Sequence, residues 1–483
     1  MRYKSIYFIG IKGVGMASLA LIAKQAGLNV GGSDVGEEFI TDNILKNEKI
    51  SFSEEFNKKN LDHFLEKNHK DNTLVVVTTA HGGLGNTESQ YAKSLGLNLM
   101  THGQAVGYFM KGDIFNRNDL IGISVSGCHG KTTISALVAA SLSKLGLDPS
   151  YSIGTSEIFP IGPAGHYGKG KYFIAEADEY FSDIKYDKKP KFLYQEPKVL
   201  IINNIDYDHP DIYKSIEEVE EAFYNFTENL KDDSLLIING DDTRAIKIKN
   251  KIKRNIKILT YGSSQDNDLF IDHFYQSDTA SYFRVNTPQL DLGGFSLSIP
   301  GIHNAKNALA VILLLTEFGV PIKKIQDVLP YFGGTKRRLE IVGRTSNGNL
   351  VIDDYAHHPE EIKTSLSALK AVYPGKKIIT IFQPHTISRT KAFLKNFALS
   401  FYTSDSLILL PVYVSMREEN EQQKYLQGEV LDEFNRLNKN IIFLKNYNLV
   451  VEYIGKNLKD KNTIIVTMGA GNVNRIANTI CNK

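Results

Sequence analysis

The sequence predicts an α/β protein of three domains, each built around a mostly parallel sheet. Three observations carry this. At 483 residues the chain exceeds what one hydrophobic core organises. Apolar runs of strand length alternate along it with segments whose apolar residues recur at helical spacing. Two glycine-rich turns, "GIKGVGM" from residue 10 and "SGCHGKTT" from residue 126, each follow such a run and open a helical segment. That order places phosphate at the carboxyl ends of parallel strands.

The first unit, residues 1–118, opens with "SIYFIGIKGVGMASLALIAKQAGLNVGGSD". It reads as a buried strand, a glycine turn, an amphipathic helix and a second strand ending at Asp34. "NTLVVVTTA" adds a further strand, and "EEFNKKNLDHFLEKNHKDN" reads as a solvated helix face. The polar stretch "GDIFNRND" ends the unit. The second unit, 119–336, starts with strand "LIGISV", the loop and helix "ISALVAASLSKLGL", followed by strands "KYFIAEAD" and "KVLIINNID". "ILTYGSS", "SYFRVN" and "FSLSIP" suggest an antiparallel patch before helix "NAKNALAVILLLTEFG". The third unit, 337–483, alternates again: strand "LVIDDYA", helix "PEEIKTSLSALKAV", then strands "KIITIFQP", "SLILLPV" and "NTIIVTMGAG".

Composition narrows the function. Fifty-six basic residues against 54 acidic ones lack the charge excess of a protein held by nucleic-acid backbones. Two cysteines, Cys128 and Cys481, supply no disulfide framework and suit a reducing compartment. The apolar start breaks at Gly10 and Lys12, too early for a signal sequence, and "ALAVILLL" is too short to span a bilayer. A cytoplasmic protein without membrane insertion is expected.

The loop "SGCHGKTT" carries the chemistry. A standard phosphate loop has glycine where Val125 stands; here the glycine is Gly127, which makes a tighter loop still able to aim backbone N–H groups at phosphate. Lys131 suits the β and γ oxygens of a nucleotide, and the Thr132 hydroxyl suits magnesium. Glu176 ends a predicted buried strand, and Asp206, Asp208 and His209 cluster after another. Acids at strand ends beside a phosphate loop make a magnesium site.

The ordered motifs "GCHGKTT", "EADE", "NNIDYDH", "PGIHNAKNALA", "KRRLE", "DDYAHHP", "FQPH..SRT" and "GAGN" resemble the Mur ligases of peptidoglycan synthesis, from the first glycine turn to residue 472. The resemblance implies an N-terminal Rossmann-like domain for a UDP-sugar, a central P-loop ATPase-like domain, and a Rossmann-like C-terminal domain that closes over it. It implies Gly10, Gly13 and Gly15 at the UDP diphosphate and Asp34 near the nucleoside. Gly127, Cys128, His129, Gly130, Lys131, Thr132 and Thr133 would surround the ATP phosphates. His303, Asn304 and Asn307 would meet adenine, and Arg338 with Asp353 or Asp354 would reach the γ-phosphate and ribose. Thr132, Glu176 and His209 would hold two Mg2+ ions. Lys131, Glu176, His209 and Arg338 would be catalytic, and Tyr355, His357, His385 and Arg389 would face the amino acid.

The implied activity is ATP-dependent joining of L-alanine to the carboxylate of UDP-N-acetylmuramate through an acyl phosphate, by a monomer or homodimer without nucleic-acid partners. Two features depart from that branch. Thr386 stands where arginine follows the histidine of "FQPH", and "YFSDIKYDKKPKFLYQEP" lengthens the interval after "EADE" as in the ligases that attach a preformed tripeptide. The tripeptide ligases are therefore the alternative. A dehydrogenase fits less well, because glycines at 10, 13 and 15 invert the G-x-G-x-x-G spacing.

Overall fold

The structure is a computed structural model that describes residues 3–413, 423–437, 440–458 and 460–481. Among these residues three main sheets follow one another along the chain, with one small two-stranded ribbon. The first sheet runs, edge to edge, through Ser51–Ser53, Asn29–Ser33, Ser5–Ile9, Thr73–Val77 and Asn98–Thr101, all parallel. Its strand order reverses beside Ser5–Ile9, so a crevice opens at the carboxyl end of that strand, where the glycine turn begins.

Helix Val14–Gln25 differs from the amphipathic reading. Every residue from Met16 to Ala23 is buried. The helix lies between its own sheet and the central unit, where Ser18 Oγ donates to the Ile153 carbonyl at 3.2 Å. Its apolar cluster also takes in Phe173 and Ala175 of the central sheet. A helix covered on both sides is apolar all round.

The central sheet runs through Asp291–Leu297, Ser281–Asn286, Leu269–Gln276, Lys257–Gly262, Leu235–Asn239, Val199–Ile202, Ile121–Ser126, Tyr172–Glu176, Ser150–Ile158 and Gly162–His166. Strand Ile121–Ser126 sits between Val199–Ile202 and Tyr172–Glu176, both parallel to it, which brings three motif-bearing strand ends together. "ILTYGSS" was expected in an antiparallel patch; Lys257–Gly262 instead pairs parallel with Leu235–Asn239. The antiparallel part begins only at Leu269–Gln276, whose alternation of exposed and buried positions was too irregular to read as a strand.

The third sheet runs Glu340–Arg344, Leu350–Asp354, Thr463–Met468, Lys377–Phe382, Ser406–Leu409 and Ile441–Phe443, parallel except for its first strand. Helix Pro359–Val372 matches its predicted limits, with proline at its start and Glu360 and Glu361 in its first turn, where the helix dipole favours acids.

The lengthened interval after "EADE" folds as a ribbon, Phe181–Asp183 with Asp187–Pro190, and a short turn of helix at Lys191–Tyr194. It docks on the first unit: Ser182 O accepts from Thr79 Oγ1 at 3.0 Å and Asp183 Oδ2 from Leu84 N at 2.8 Å. The contact is close enough that a Cβ at Gly107, inside helix His102–Lys111, would lie 2.0 Å from the Tyr194 carbonyl oxygen. Glycine to alanine within a helix ordinarily stabilises by about 0.5–1 kcal/mol. Here Gly107→Ala is expected to destabilise by about 1–3 kcal/mol, because backbone must move. A thermal midpoint at or above the parent's would show that the turn Lys191–Tyr194 does not press on this helix.

Candidate active site

The tight loop after Ile121–Ser126 is set by two asparagines that sequence reading passed over. Asn203 Nδ2 and Asn204 Nδ2 both donate to the His129 carbonyl at 2.9 Å, and His129 N donates to Asn204 Oδ1 at 2.7 Å. Gly130 has φ of +79°, and a Cβ there would lie 2.5 Å from Asn203 Nδ2, so only glycine fits. The "NNID" motif thus shapes the phosphate loop from the neighbouring strand. Cys128 is buried; its thiol donates to the Asp206 carbonyl at 2.9 Å, and burial with the nearby Glu179 charge pushes it well above the usual thiol range. It is an inert filler.

Lys131 opens helix Lys131–Lys144 and points its ammonium at Glu179, 2.9 Å and 3.2 Å from the two carboxylate oxygens. Burial opposes charge on Glu179, but Lys131 and His209 outweigh it and hold the carboxyl below its ordinary value. Thr132, Glu176, Asp178, Asp208 and His209 line the same cavity, of about 370 Å³, together with Gly13 and Gly15 of the first glycine turn. His209 Nε2 lies 3.6 Å from Glu179 and 3.5 Å from Asp208, while Glu176 accepts from Gly154 N at 2.9 Å. Glu179 was not singled out from the sequence; its signal was the second glutamate of "EADE", three residues past Glu176.

A second cavity, of about 290 Å³, lies on the other side of the loop. His129, Gly130, Thr133, His303, Asn304, Asn307, Arg338 and Asp354 all line it, which gathers the segments expected at adenine, ribose and phosphate. Asn304 donates from Nδ2 to the Pro300 carbonyl at 2.7 Å, and Asn307 accepts from Asn203 at 3.2 Å. Burial pushes Asp354 up to about 6. Burial also lowers the His303 imidazole to about 4. An unfolded histidine takes up its proton near pH 6.5, so His303 stabilises the fold above that pH and the contribution is lost as pH falls toward 4. The stability difference between the parent and His303→Asn is therefore expected to shrink across that window in urea melts, and a constant difference would refute the assignment.

Arg338 joins the parts. It lines both cavities and a third one, of about 240 Å³, with Gly13, Thr132, Tyr355 and His385. Its neighbours Arg337 and Leu339 have φ of +61° and +47°, backbone that side chains adopt only where the surroundings impose it. Arg337 supplies the restraint: its Nε donates to Asp353 Oδ2 at 2.9 Å and its Nη2 to the Gly469 carbonyl at 2.7 Å.

Several of the expected residues are held by partners within the protein. Asp353 is tied to Arg337 and Thr467, so of the two aspartates only Asp354 faces the nucleotide cavity. Asp34 accepts from Lys12 N at 2.7 Å and Val35 N at 2.8 Å, which holds the glycine turn. Gly10 sits against Thr78 and Gly127 against Asn204, both within the turns they shape. Arg389 is buried against Asp208 at 2.8 Å, behind the cavity wall. Tyr355, His357 and His385 do line the cavities, His385 stacked on Tyr413 at 5.2 Å. Glu361, absent from the sequence reading, accepts from His357 N at 3.1 Å and lies 3.6 Å from Arg338; burial opposes its charge, yet His357 and His129 hold it well below the usual carboxylate range.

Three family models cover this frame in order: "Mur ligase family, catalytic domain" over residues 5–113, "Mur ligase middle domain" over 125–315, and "Mur ligase, glutamate ligase domain" over 337–471. The chain belongs to the Mur ligase family. It is 34% identical over 473 residues to the UDP-N-acetylmuramate–L-alanine ligase of Caldanaerobacter subterraneus subsp. tengcongensis, covering 98% of this chain and 96% of that one. To the ligase of the same name from Borreliella burgdorferi it is 35% identical over 480 residues, 97% and 96% of the two chains. Among solved structures, the UDP-N-acetylmuramate-alanine ligase of Thermotoga maritima superposes with a TM-score of 0.79 at 26% identity, over 99% and 98% of the two chains. A murein peptide ligase from Psychrobacter arcticus shares the fold, with a TM-score of 0.72 at 24% identity over 99% and 98%. Among the described residues no helix is long and apolar enough to cross a membrane.

Proposed function

We propose that this Mur ligase joins L-alanine to the carboxylate of UDP-N-acetylmuramate at the expense of ATP, in the synthesis of peptidoglycan precursors. The carrying observation is the near full-length likeness to ligases of that name, on a chain in which Arg338 lines three neighbouring cavities. We assign the cavity of His303, Asn304 and Asn307 to the nucleotide. Gly13, Gly15 and the middle cavity are assigned to the UDP-sugar and reacting groups, and the cavity of Tyr355 and His385 to the amino acid. The domain limits 1–118, 119–336 and 337–483 are taken with this assignment.

A carboxylate is a poor electrophile, so it attacks the γ-phosphate first, and the amine then displaces phosphate from the acyl phosphate. The anionic nucleophile and the triphosphate repel each other; Lys131 at the helix start and Arg338 from the third domain offset that repulsion. The Thr132 hydroxyl, three carboxylates at Glu176, Asp178 and Asp208, and His209 share one cavity, with Glu179 3.6 Å from His209, an oxygen-rich donor set that fits magnesium. Bound there, Mg2+ would neutralise phosphate charge in the transfer. Arg338, Tyr355 and His357 of the third domain wall the middle cavity and exclude water, which would otherwise hydrolyse the intermediate.

The tripeptide alternative recedes because its sequence signal has another use. The ribbon over 181–190 docks on the first unit, and Lys191 beyond it lines the middle cavity rather than the cavity of His385. Phosphate release with UDP-N-acetylmuramate, ATP and L-alanine, L-serine, glycine or tripeptide in turn tests the proposal. L-Alanine is expected to give the highest kcat/KM; a preference for tripeptide would overturn it.

A further inference from the structure

His358, outside the machinery assigned above, is a buried imidazole, 4% exposed, and neither of its ring nitrogens has a hydrogen-bond partner. Buried polar groups are seldom left so, since desolvation without a partner costs free energy. Its ring lies 4.8 Å from that of His129, centroid to centroid, at a tilt of 37°. His129 Nε2 is also without a hydrogen bond, with Asp206 Oδ2 at 3.7 Å, beyond hydrogen-bond length. One donor atom from each of His129, Asp206 and His358 lies within 4.8 Å of the others.

From this geometry we infer a binding site for one borderline divalent cation of the Zn2+ class, held by His129, Asp206 and His358, which staples the third domain to the phosphate loop. Two imidazoles and a carboxylate are the donors zinc takes, whereas magnesium keeps to oxygen. The surroundings orient the donors. Glu361 Oε1 lies 3.3 Å from His129 Nδ1, the place of the outer carboxylate usual for a metal-bound histidine; a metal would displace the proton on Nε2. Asp206 Oδ1 is engaged by Tyr207 N at 2.8 Å, which leaves Oδ2 toward the histidines. Tetrahedral coordination at about 2.0–2.1 Å draws the three atoms closer by side-chain rotation and leaves a fourth place for water or a phosphate oxygen. The site differs from the cavity of Thr132, Glu176 and His209, with which it shares no residue.

The test uses the full-length protein saturated with Mg2+. One equivalent of Zn2+ is added and its X-ray absorption fine structure recorded. Two imidazoles and oxygen ligands are expected. One imidazole would place the zinc at Glu179, Asp208 and His209, and a metal with water ligands only would mean no site; either overturns the inference. Titration with Co2+ gives the second readout. The strong visible bands of four-coordinate cobalt are expected in the parent and in His209→Asn, and lost in His358→Gln and Asp206→Asn. Bands that survive both substitutions, in variants that melt cooperatively, overturn it as well.

Discussion

Lys131→Ala lowers kcat/KM for L-alanine ligation by a factor on the order of 10³ or more, while calorimetric binding of UDP-N-acetylmuramate stays close to the parent's. That is the expected result because Lys131 combines a fixed position with a charge in a desolvated place. Its ammonium is held by Glu179 at 2.9 Å and by the Cys128 carbonyl at 3.3 Å, at the start of a buried helix. Preorganised cations aimed at a transferring phosphoryl group carry effects of about 10³–10⁵ in rate. The substitution also strips Glu179 of its nearest cation, leaving His209 at 3.6 Å. A loss of about 3–5 kcal/mol of stability would follow if His209 failed to compensate. Lys131→Ala combined with Glu179→Gln separates the two effects: stability returns and turnover does not. Near-normal turnover in the single variant would remove the phosphate-loop assignment.

Arg389→Ala is the second large effect, and the structure changes its reading. The family resemblance implies this arginine at the amino acid; in the fold its guanidinium lies 2.8 Å from Asp208, both side chains buried. Burial works against charge on Asp208, but Arg389 and then His209 hold the carboxyl well below its ordinary value. A depressed acid stabilises the fold above its unfolded pKa of about 3.9, and that contribution is lost as pH falls through the folded value. Removing Arg389 is expected to cost about 3–5 kcal/mol at neutral pH, as one charge of a buried pair is left unpaired. The cost should shrink when Asp208→Asn is added. Because Asp208 and His209 line the middle cavity, the KM for L-alanine should rise by about tenfold or more, with a smaller change for ATP. An unchanged KM for L-alanine would mean that Arg389 acts on stability alone.

The two substitutions separate what was legible in the chain from what was not. Lys131 and Thr132 could be read from the loop they sit in, whose neighbours in sequence are its neighbours in space; His303, Asn304 and Asn307 were singled out only by the family resemblance. Glu179, Glu361 and the paired asparagines Asn203 and Asn204 could not. Their partners lie on other strands or in another domain: Lys131 is 48 positions from Glu179, and His129 is 232 from Glu361. Helix Val14–Gln25 was legible as a helix but not as a buried one, because the sheet that covers its second side arrives more than a hundred residues later.

By itself the sequence determined the α/β class, the order of three sheets and the family. These rest on local periodicity, on turns that need glycine, and on motif order, all of which are written along one stretch of chain at a time. Tertiary structure alone decided which charges meet. It turned Asp353 inward to Arg337, set Arg389 on Asp208, and brought His129, Asp206 and His358 together. Ion pairing depends on distance and burial, and both are properties of the packed chain that no spacing of residues along it can express.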